Sequence, residues 1–455
     1  MTHEFDAIVI GAGPAGEVCA GRLGEAGLAV AVVESHLVGG ECSYYGCMPS
    51  KALLRPAEAL AEAKRIPGAA EAVTGELDPG AVLRRRDEVV HDLDDAVQLP
   101  WLEDRGVALF RGHGRIAGER TVVVGDDTLT ARRAVVVATG STALVPPVPG
   151  LAEASPWTNH EGTTSHHVPE RLIVLGGGVA GIELGQAWAS LGSQVTIVEG
   201  GPRVLGREEE FAAKLVHDAL VDRGVTILTG SPVASVSRNG VVQARLANGT
   251  AVEGDEILVG VGRRPLTGDL GLETVGLEPG RYLEVGDDCR VAGTDWLFAI
   301  GDVNGRALLT HMGKYQGRVA ADVILGKDAA IDALSDGALS PRVVFTEPQI
   351  AAVGHTLESA QSAGLDVRAV DFETSGTAGG SFYGRNAPGV SRLVVDEQRR
   401  VLVGATFCGV DVAEWVHAAS IAVVGRVPID VLWHAVPSFP TRSEVWLRLF
   451  ETYGL

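Results

Sequence analysis

Phe5-Asp6-Ala7-Ile8-Val9-Ile10-Gly11-Ala12-Gly13-Pro14-Ala15-Gly16 decides the reading of this chain. An apolar, β-rich run to Ile10 enters a glycine turn, a helix-compatible stretch follows, and a second strand, Ala29 to Val33, ends at Glu34. The same order recurs further on. Leu172 to Leu175 leads into Gly176-Gly177-Gly178-Val179-Ala180-Gly181, and Gln194 to Val198 ends at Glu199. In both copies the acid lies 18 residues beyond the last glycine and 23 beyond the first. A lone G-x-G-x-x-G can be no more than a tightly packed corner. A strand before it, a helix after it and an acid beyond are the context that dinucleotide binding requires. The copies lie 165 residues apart, an internal duplication of one βαβ unit. Such glycines let the backbone approach a pyrophosphate at the positive end of the helix, and the acid accepts hydrogen bonds from an adenosine ribose. Two sites imply two dinucleotides, or one dinucleotide and a relic. Glu199 would meet a 2′-phosphate as one anion meets another, so the second site is expected to prefer NADH to NADPH, with Arg203 close enough in sequence to soften the preference.

A third apolar run, Trp296 to Ile300, precedes Gly301-Asp302. Val107 to Gly125 reads as short strands with glycine turns. Pro146-Pro147-Val148-Pro149-Gly150 breaks helix and strand alike and marks a boundary. A second composition shift falls at Ser340-Pro341. Beyond it, strand-like runs (Val343 to Phe345, Val367 to Phe372, Ser391 to Val395, Val401 to Thr406) mix with a helical one (Asp411 to Val424), and Ser375 to Pro388 reads as a loop.

Composition narrows the function. The 455 residues suffice for two to four domains at about 150 residues each. A formal charge of −20 offers no broad cationic face for nucleic acid. No apolar stretch reaches the length of a membrane span, and the N-terminus lacks the pattern of a signal peptide. Five cysteines are too few for a disulfide-stapled secreted scaffold. The expectation is a cytoplasmic enzyme.

Two of those cysteines lie in Gly39-Gly40-Glu41-Cys42-Ser43-Tyr44-Tyr45-Gly46-Cys47-Met48-Pro49-Ser50-Lys51. Five positions apart, they can close a small disulfide ring. Pro49-Ser50 reads as the start of a helix whose dipole would favour a thiolate. Cys19, Cys289 and Cys408 read as small buried hydrophobes. With no second pair and no clustered histidine, no metal is expected.

This segment resembles the active-site motif of the FAD-dependent pyridine nucleotide–disulfide oxidoreductases, which include dihydrolipoamide dehydrogenase, glutathione reductase and mercuric reductase. Val137-Ala138-Thr139-Gly140-Ser141, Val261-Gly262-Arg263-Arg264-Pro265, Ala299-Ile300-Gly301-Asp302 and Phe345-Thr346-Glu347-Pro348 fall in family order, so the likeness covers nearly the whole chain. It implies an α/β fold with two Rossmann-like dinucleotide-binding domains plus a C-terminal α+β dimerisation domain. The expected extents are 1–150 with 270–340 for FAD, 151–269 for NAD(P) and 341–455 for the interface. Gly11, Gly13, Gly16 and Glu34 would hold the ADP half of FAD and Asp302 its ribityl chain, with Gly40, Gly114, Ala138, Thr139, Gly140 and Gly262 completing the cofactor set. Gly176, Gly178, Gly181 and Glu199 would hold NADH, with NADPH as the alternative. Lys51 would approach the flavin and pair with Glu183 beside the nicotinamide. Cys47 would be the flavin-side thiolate, and Cys42 the outer thiol that attacks substrate. The family is a homodimer with composite active sites, acting here on a small-molecule oxidant.

The sequence departs from the family at one point. Thiol-exchanging members carry His-Pro near the C-terminus, the histidine acting as acid/base, followed by a glutamate that orients it. Here the stretch is His434-Ala435-Val436-Pro437-Ser438-Phe439-Pro440-Thr441-Arg442-Ser443-Glu444. Aligning Pro440-Thr441 and Ser443-Glu444 with the family puts Phe439 in the histidine position, and the alternative register puts Val436 there. His434 could reach in from an altered turn, though a surface or core role suits it better. A general acid typically contributes about 10²–10⁴-fold. Its loss points to a disulfide with an intrinsically stable leaving thiol, such as a heteroaryl thiol or thione of the ergothioneine type. Phe439, with Trp433 and Trp446 near it in sequence, could face a cationic group, while Trp446 is better read as dimer-interface packing. The alternatives are quinone reduction, transhydrogenation, metal-ion reduction or a dihydrolipoamide dehydrogenase-like activity.

Overall fold

The computed structural model describes residues 1–384 and 387–455. Two compact units divide the chain, each assembled from separated segments.

The first unit comprises 1–49, 87–144 and 262–337. Its centre is the strand Thr2–Ile10, paired in parallel with Val30–Glu34 on one side and Asp127–Val137 on the other. Val107–Arg111 extends the sheet beyond Val30–Glu34, and Leu297–Ala299 pairs with the C-terminal end of Asp127–Val137. Thr121–Val124 and Gly114–Gly118 add an antiparallel edge. Ile8, Val9, Val32 and Val136 are wholly buried, as strands covered on both faces require. Helix Pro14–Glu25 begins with proline in its first turn, where the missing N–H costs nothing. It packs tightly on helix Thr310–Ile324: a Cβ at Gly317 would stand 2.7 Å from the Ala15 carbonyl oxygen.

The second unit comprises 50–86, 145–261 and 338–455. Strands Thr226–Leu228, Gln194–Val198, Arg171–Leu175 and Glu256–Val259 form an all-parallel sheet in that order. Helix Val179–Ser190 follows the second glycine turn. A three-stranded antiparallel sheet, Val233–Asn239, Val241–Leu246 and Ala251–Gly254, adjoins it in sequence. Residues beyond 340 build a five-stranded antiparallel sheet, ordered Arg342–Val344, Gln349–Gly354, Val401–Gly409, Val390–Asp396 and Val367–Glu373, with helices Val416–Val424 and Val445–Tyr453. The architecture is therefore the expected one: two nucleotide-type α/β folds and an α+β C-terminal segment. Among the described residues no helix is long and apolar enough to cross a membrane.

Three local expectations change. The helix after the cysteine pair starts at Cys47, not at Pro49 (Cys47–Arg65), because proline is tolerated throughout a first turn. Asp411 to Val424 divides into a 3₁₀ turn, Ala413–Trp415, and helix Val416–Val424. The loop Ser375 to Pro388 contains a 3₁₀ turn, Gly380–Tyr383, and its Arg385 and Asn386 lie outside the described residues.

Candidate active site

The two glycine turns are built alike, down to individual atoms. Gly11 and Gly176 have φ of 103° and 104°, a region L-residues avoid. A Cβ on Gly16 would run into the Gly11 carbonyl oxygen, and one on Gly181 into that of Gly176. Gly13 and Gly178 differ from these. A Cβ on Gly13 would meet nothing within 4 Å, and one on Gly178 only the Gly260 oxygen at 3.9 Å. The outer glycines thus close the turn and seat the helix, while the middle one leaves bare backbone on an open face.

The acids repeat the pattern. Glu34 Oε2 accepts the Ala12 N–H at 2.7 Å and its Oε1 the His36 N–H at 2.7 Å. Glu199 Oε2 accepts the Gly177 N–H at 2.7 Å and its Oε1 the Gly201 N–H at 2.6 Å. Each carboxylate is pinned across its own glycine turn and keeps outward lone pairs for a diol. Open face, helix N-terminus and pinned carboxylate fit an adenine dinucleotide in each unit. Arg203, the cation that lies near Glu199 in sequence, is held within its own loop. Its guanidinium donates to the Leu205, Gly206 and Glu208 carbonyls at 2.9, 3.0 and 2.9 Å, closing its own loop.

The other cofactor-type residues that the sequence singles out also lie in the first unit. Gly40 lets its backbone approach Gly13, where a Cβ would stand 2.8 Å from the Gly13 Cα. A Cβ on Gly114 would stand 2.9 Å from Val33 Cγ1. Ala138 is buried, Thr139 Oγ1 donates to the Leu266 carbonyl at 2.9 Å, and Gly140 and Gly262 adopt positive φ. Asp302 Oδ2 accepts the Ser141 hydroxyl at 2.5 Å, and Arg263 Nε reaches that hydroxyl at 2.6 Å while its Nη2 binds Glu41 at 3.0 Å. Burial pushes the Asp302 carboxyl above its ordinary range, against the pull of Ser141 and Arg263.

Cys42 lies in the short helix Gly40–Tyr44, and Cys47 is the first residue of helix Cys47–Arg65. Both are unbonded thiols joined by a hydrogen bond. Cys47 Sγ also lies 3.3 Å from the Thr310 hydroxyl, on the first residue of another helix. Two helix N-termini therefore converge on this sulfur, the arrangement that favours a thiolate. The hydrogen bond with Cys47, then burial, hold the Cys42 thiol far above its ordinary pKa, while Thr310 and Lys314 act the other way. The other three cysteines are buried.

In the second unit, Lys51 Nζ donates to Glu183 Oε2 at 2.6 Å and stands 4.7 Å from the centre of the Phe345 ring. The other Glu183 oxygen accepts the Phe345 N–H at 2.8 Å. Glu183 is buried, so each partner compensates a charge otherwise costly there.

At the C-terminus Phe439 is 77% exposed and His434 is exposed too. Glu444 is only 6% exposed. Its Oε1 accepts Arg448 Nη2 at 2.7 Å, and its Oε2 is buried with no hydrogen-bond partner among the described residues. Trp446 packs against Phe407 and Phe450, within its own chain. Arg442 is held between the Tyr383 and Trp415 rings, 4.3 and 4.4 Å from their centres. Sequence reasoning passed over Thr310, Lys314 and Ser141 as site residues. Among the described residues no cluster of three or more metal-ligating side chains occurs.

A family model described as pyridine nucleotide-disulphide oxidoreductase matches residues 5–317, and the dimerisation domain of that family matches residues 340–449. The chain is 32% identical over 462 residues to a dihydrolipoyl dehydrogenase of Geobacillus stearothermophilus, covering 98% of this chain and 96% of the relative. It is 29% identical to a mercuric reductase of Staphylococcus aureus, covering 97% of this chain and 81% of that one. Among solved structures, the Cu(II) complex of the HOCl-induced flavoprotein disulfide reductase RclA from Escherichia coli superposes with a TM-score of 0.87 at 25% identity, covering 99% of both chains. LpdA from Mycobacterium tuberculosis gives 0.86 at 25% identity, covering 99% of this chain and 100% of LpdA.

Proposed function

Since the chain belongs to the pyridine nucleotide-disulphide oxidoreductase family, whose members use FAD and NAD(P)H, we propose that it reduces a small-molecule disulfide through Cys42 and Cys47 with no imidazole acid. The chemistry that bound FAD supplies is two-electron transfer between NAD(P)H and a sulfur–sulfur bond. Glu34 and the Gly11, Gly13 and Gly16 turn would hold its adenosine and pyrophosphate, with Asp302 toward the ribityl chain. Glu199 and its glycine turn would hold the nicotinamide nucleotide. With Arg203 tied to its own loop, nothing in that turn offsets Glu199, which supports NADH over NADPH. Lys51 and Glu183 keep each other charged and oriented. Cys47 holds negative charge at the helix N-termini, and Cys42 attacks the substrate. The C-terminal segment matches a dimerisation domain, and a homodimer with composite sites follows from it as the working assembly.

The register of the C-terminal segment supports the substrate class: aligned on Pro440-Thr441 and Ser443-Glu444, Phe439 takes the position of the family's acid/base, and among the described residues Glu444 Oε2 is buried without a hydrogen-bond partner. A phenyl ring donates no proton, so the expelled sulfur departs as a thiolate. Such a reaction favours low-pKa thiols over alkyl thiols. A thione or heteroaryl disulfide of the ergothioneine type meets that demand. Metal-ion reduction, favoured by the likeness to mercuric reductase, is the second reading.

The test is an NADH-driven panel of lipoamide, glutathione disulfide, a heteroaryl disulfide, a quinone and mercuric ion, run with wild type and Cys42→Ser. The expected result is preferential turnover of the heteroaryl disulfide, lost in Cys42→Ser. Turnover of that substrate surviving in Cys42→Ser, or a preference for lipoamide, overturns the proposal.

A further inference from the structure

Removing the histidine leaves a second question: what steadies the negative sulfur? Helix Thr310–Ile324 begins against the thiol pair, with Thr310 Oγ1 3.3 Å from Cys47 Sγ. Lys314 lies four residues on, one turn along the same face. Its charge acts on Cys42, favouring the thiolate. The other cations of this helix are engaged. Arg318 stacks on Tyr315, 5.5 Å from the ring centre, and Lys327 just beyond the helix binds Asp322 at 2.8 Å. Lys314 is exposed and makes no ion pair among the described residues, so its ammonium is free to meet a ligand. The carboxyl that feels it is Glu17, in the first turn of helix Pro14–Glu25, which packs on this helix through Ala15 and Gly313.

We propose that Lys314 is the cation that stabilises both the attacking Cys42 thiolate and the thiolate expelled from the substrate, doing by charge what the family's imidazole does by proton transfer. This rests on the disulfide-reductase reading above and deepens it. In the step concerned, the Cys42 sulfur, its proton released to solvent, bonds to one substrate sulfur. The substrate S–S bond breaks, and its electron pair leaves on the other sulfur as a thiolate. The Cys47 thiolate then bonds to Cys42 sulfur and releases the second thiolate, so the cysteine pair is oxidised and the substrate disulfide reduced. Lys314 neither gives nor takes a proton, which restricts the enzyme to leaving groups that are stable as anions.

The test compares Lys314→Met and Lys314→Arg in the FAD-loaded dimer. First, the NADH-reduced enzyme is alkylated with iodoacetamide across pH. The Cys42 profile is expected to move alkaline by about one unit in Lys314→Met and to stay near wild type in Lys314→Arg. Second, kcat/KM is measured over aryl disulfides of graded leaving-thiol pKa. Lys314→Met should fall about tenfold and depend more steeply on leaving-group pKa. A Lys314→Met alkylation profile and leaving-group dependence superimposable on wild type overturn the proposal. If that occurs while Cys42→Ser still abolishes turnover, the disulfide reading stands and only the role of Lys314 falls. If Cys42→Ser retains turnover, both fall.

Discussion

Replacing Phe439 with histidine asks the chain to recover the proton transfer it lacks. The side chain lost is 77% exposed, so little packing is given up. The side chain gained would stand five residues before Glu444, whose Oε2 is buried and, among the described residues, unpaired. A buried acceptor left unpaired costs about 1–3 kcal/mol, and a hydrogen bond to a charged group is worth about 1.5–3 kcal/mol. At about 1.4 kcal/mol per pKa unit, an imidazolium bonded to Glu444 would titrate about one to two units above its ordinary value near 6.5. A raised histidine pKa stabilises the fold fully below the unfolded value and loses that contribution as pH rises through the folded value. Phe439→His should therefore be more stable than wild type at acid pH, with the difference fading above neutrality. NADH-driven lipoamide reduction, negligible without an acid, should rise by about 10²–10⁴-fold. Adding Glu444→Gln should remove most of the gain and return the pH dependence toward that of a free imidazole. A folded Phe439→His enzyme with wild-type lipoamide turnover would refute both the register of the C-terminal segment and the assignment of the orphan oxygen.

Four further substitutions have expected outcomes. Gly16→Ala forces a Cβ into the Gly11 carbonyl and should unfold the first unit at lower temperature. Gly13→Ala, with nothing to strike, should melt like the wild-type apoprotein yet fail to retain flavin; equal flavin retention by wild type and Gly13→Ala would argue against an open phosphate face. Glu199→Ala frees the Gly177 and Gly201 N–H groups and should lower kcat/KM for NADH by about tenfold or more without making NADPH the better substrate, because Arg203 is committed to its loop; a switch to NADPH would contradict this. Burial raises the Glu17 carboxyl to about 7, against the pull of Lys314. A carboxyl raised on folding binds more protons in the native state between its ordinary value near 4.5 and about 7, so it makes apoprotein stability fall as pH rises through that window. Glu17→Gln should flatten that slope in thermal melts, and an unchanged slope would show that Glu17 does not titrate there.

What the sequence made legible was local. The order strand, glycine turn, helix, strand, acid is written within about 30 residues each time, so the sequence alone pairs Glu34 and Glu199 with their turns. The thiol pair was equally local. Its helix was misplaced by two residues because Pro49 looked like a start, whereas proline fits anywhere in a first turn. The partners of the site were not legible. Thr310 meets Cys47 across 263 positions, and Ser141 meets Asp302 across 161. No spacing rule encodes contacts made when distant helices and strands close on one another. Arg203 is a related case: its proximity to Glu199 in sequence says nothing of the three carbonyls that accept from its guanidinium. Lys314 was no more legible: it follows Thr310 by four residues on helix Thr310–Ile324, and only the fold brings the start of that helix to the thiols.

The twin glutamates have one more consequence. Each has both oxygens tethered to its own main chain before any nucleotide arrives, so its rotamer is already frozen. A sugar diol docking there meets a fork that does not have to stop moving, and the entropy of immobilising a flexible acid has been settled during folding. Recognition at these two places is therefore inherited from the way each parallel strand pair closes on its own turn. Drift in the surrounding residues can proceed with little effect on it, so long as a glycine turn and a glutamate stay 22 positions in step.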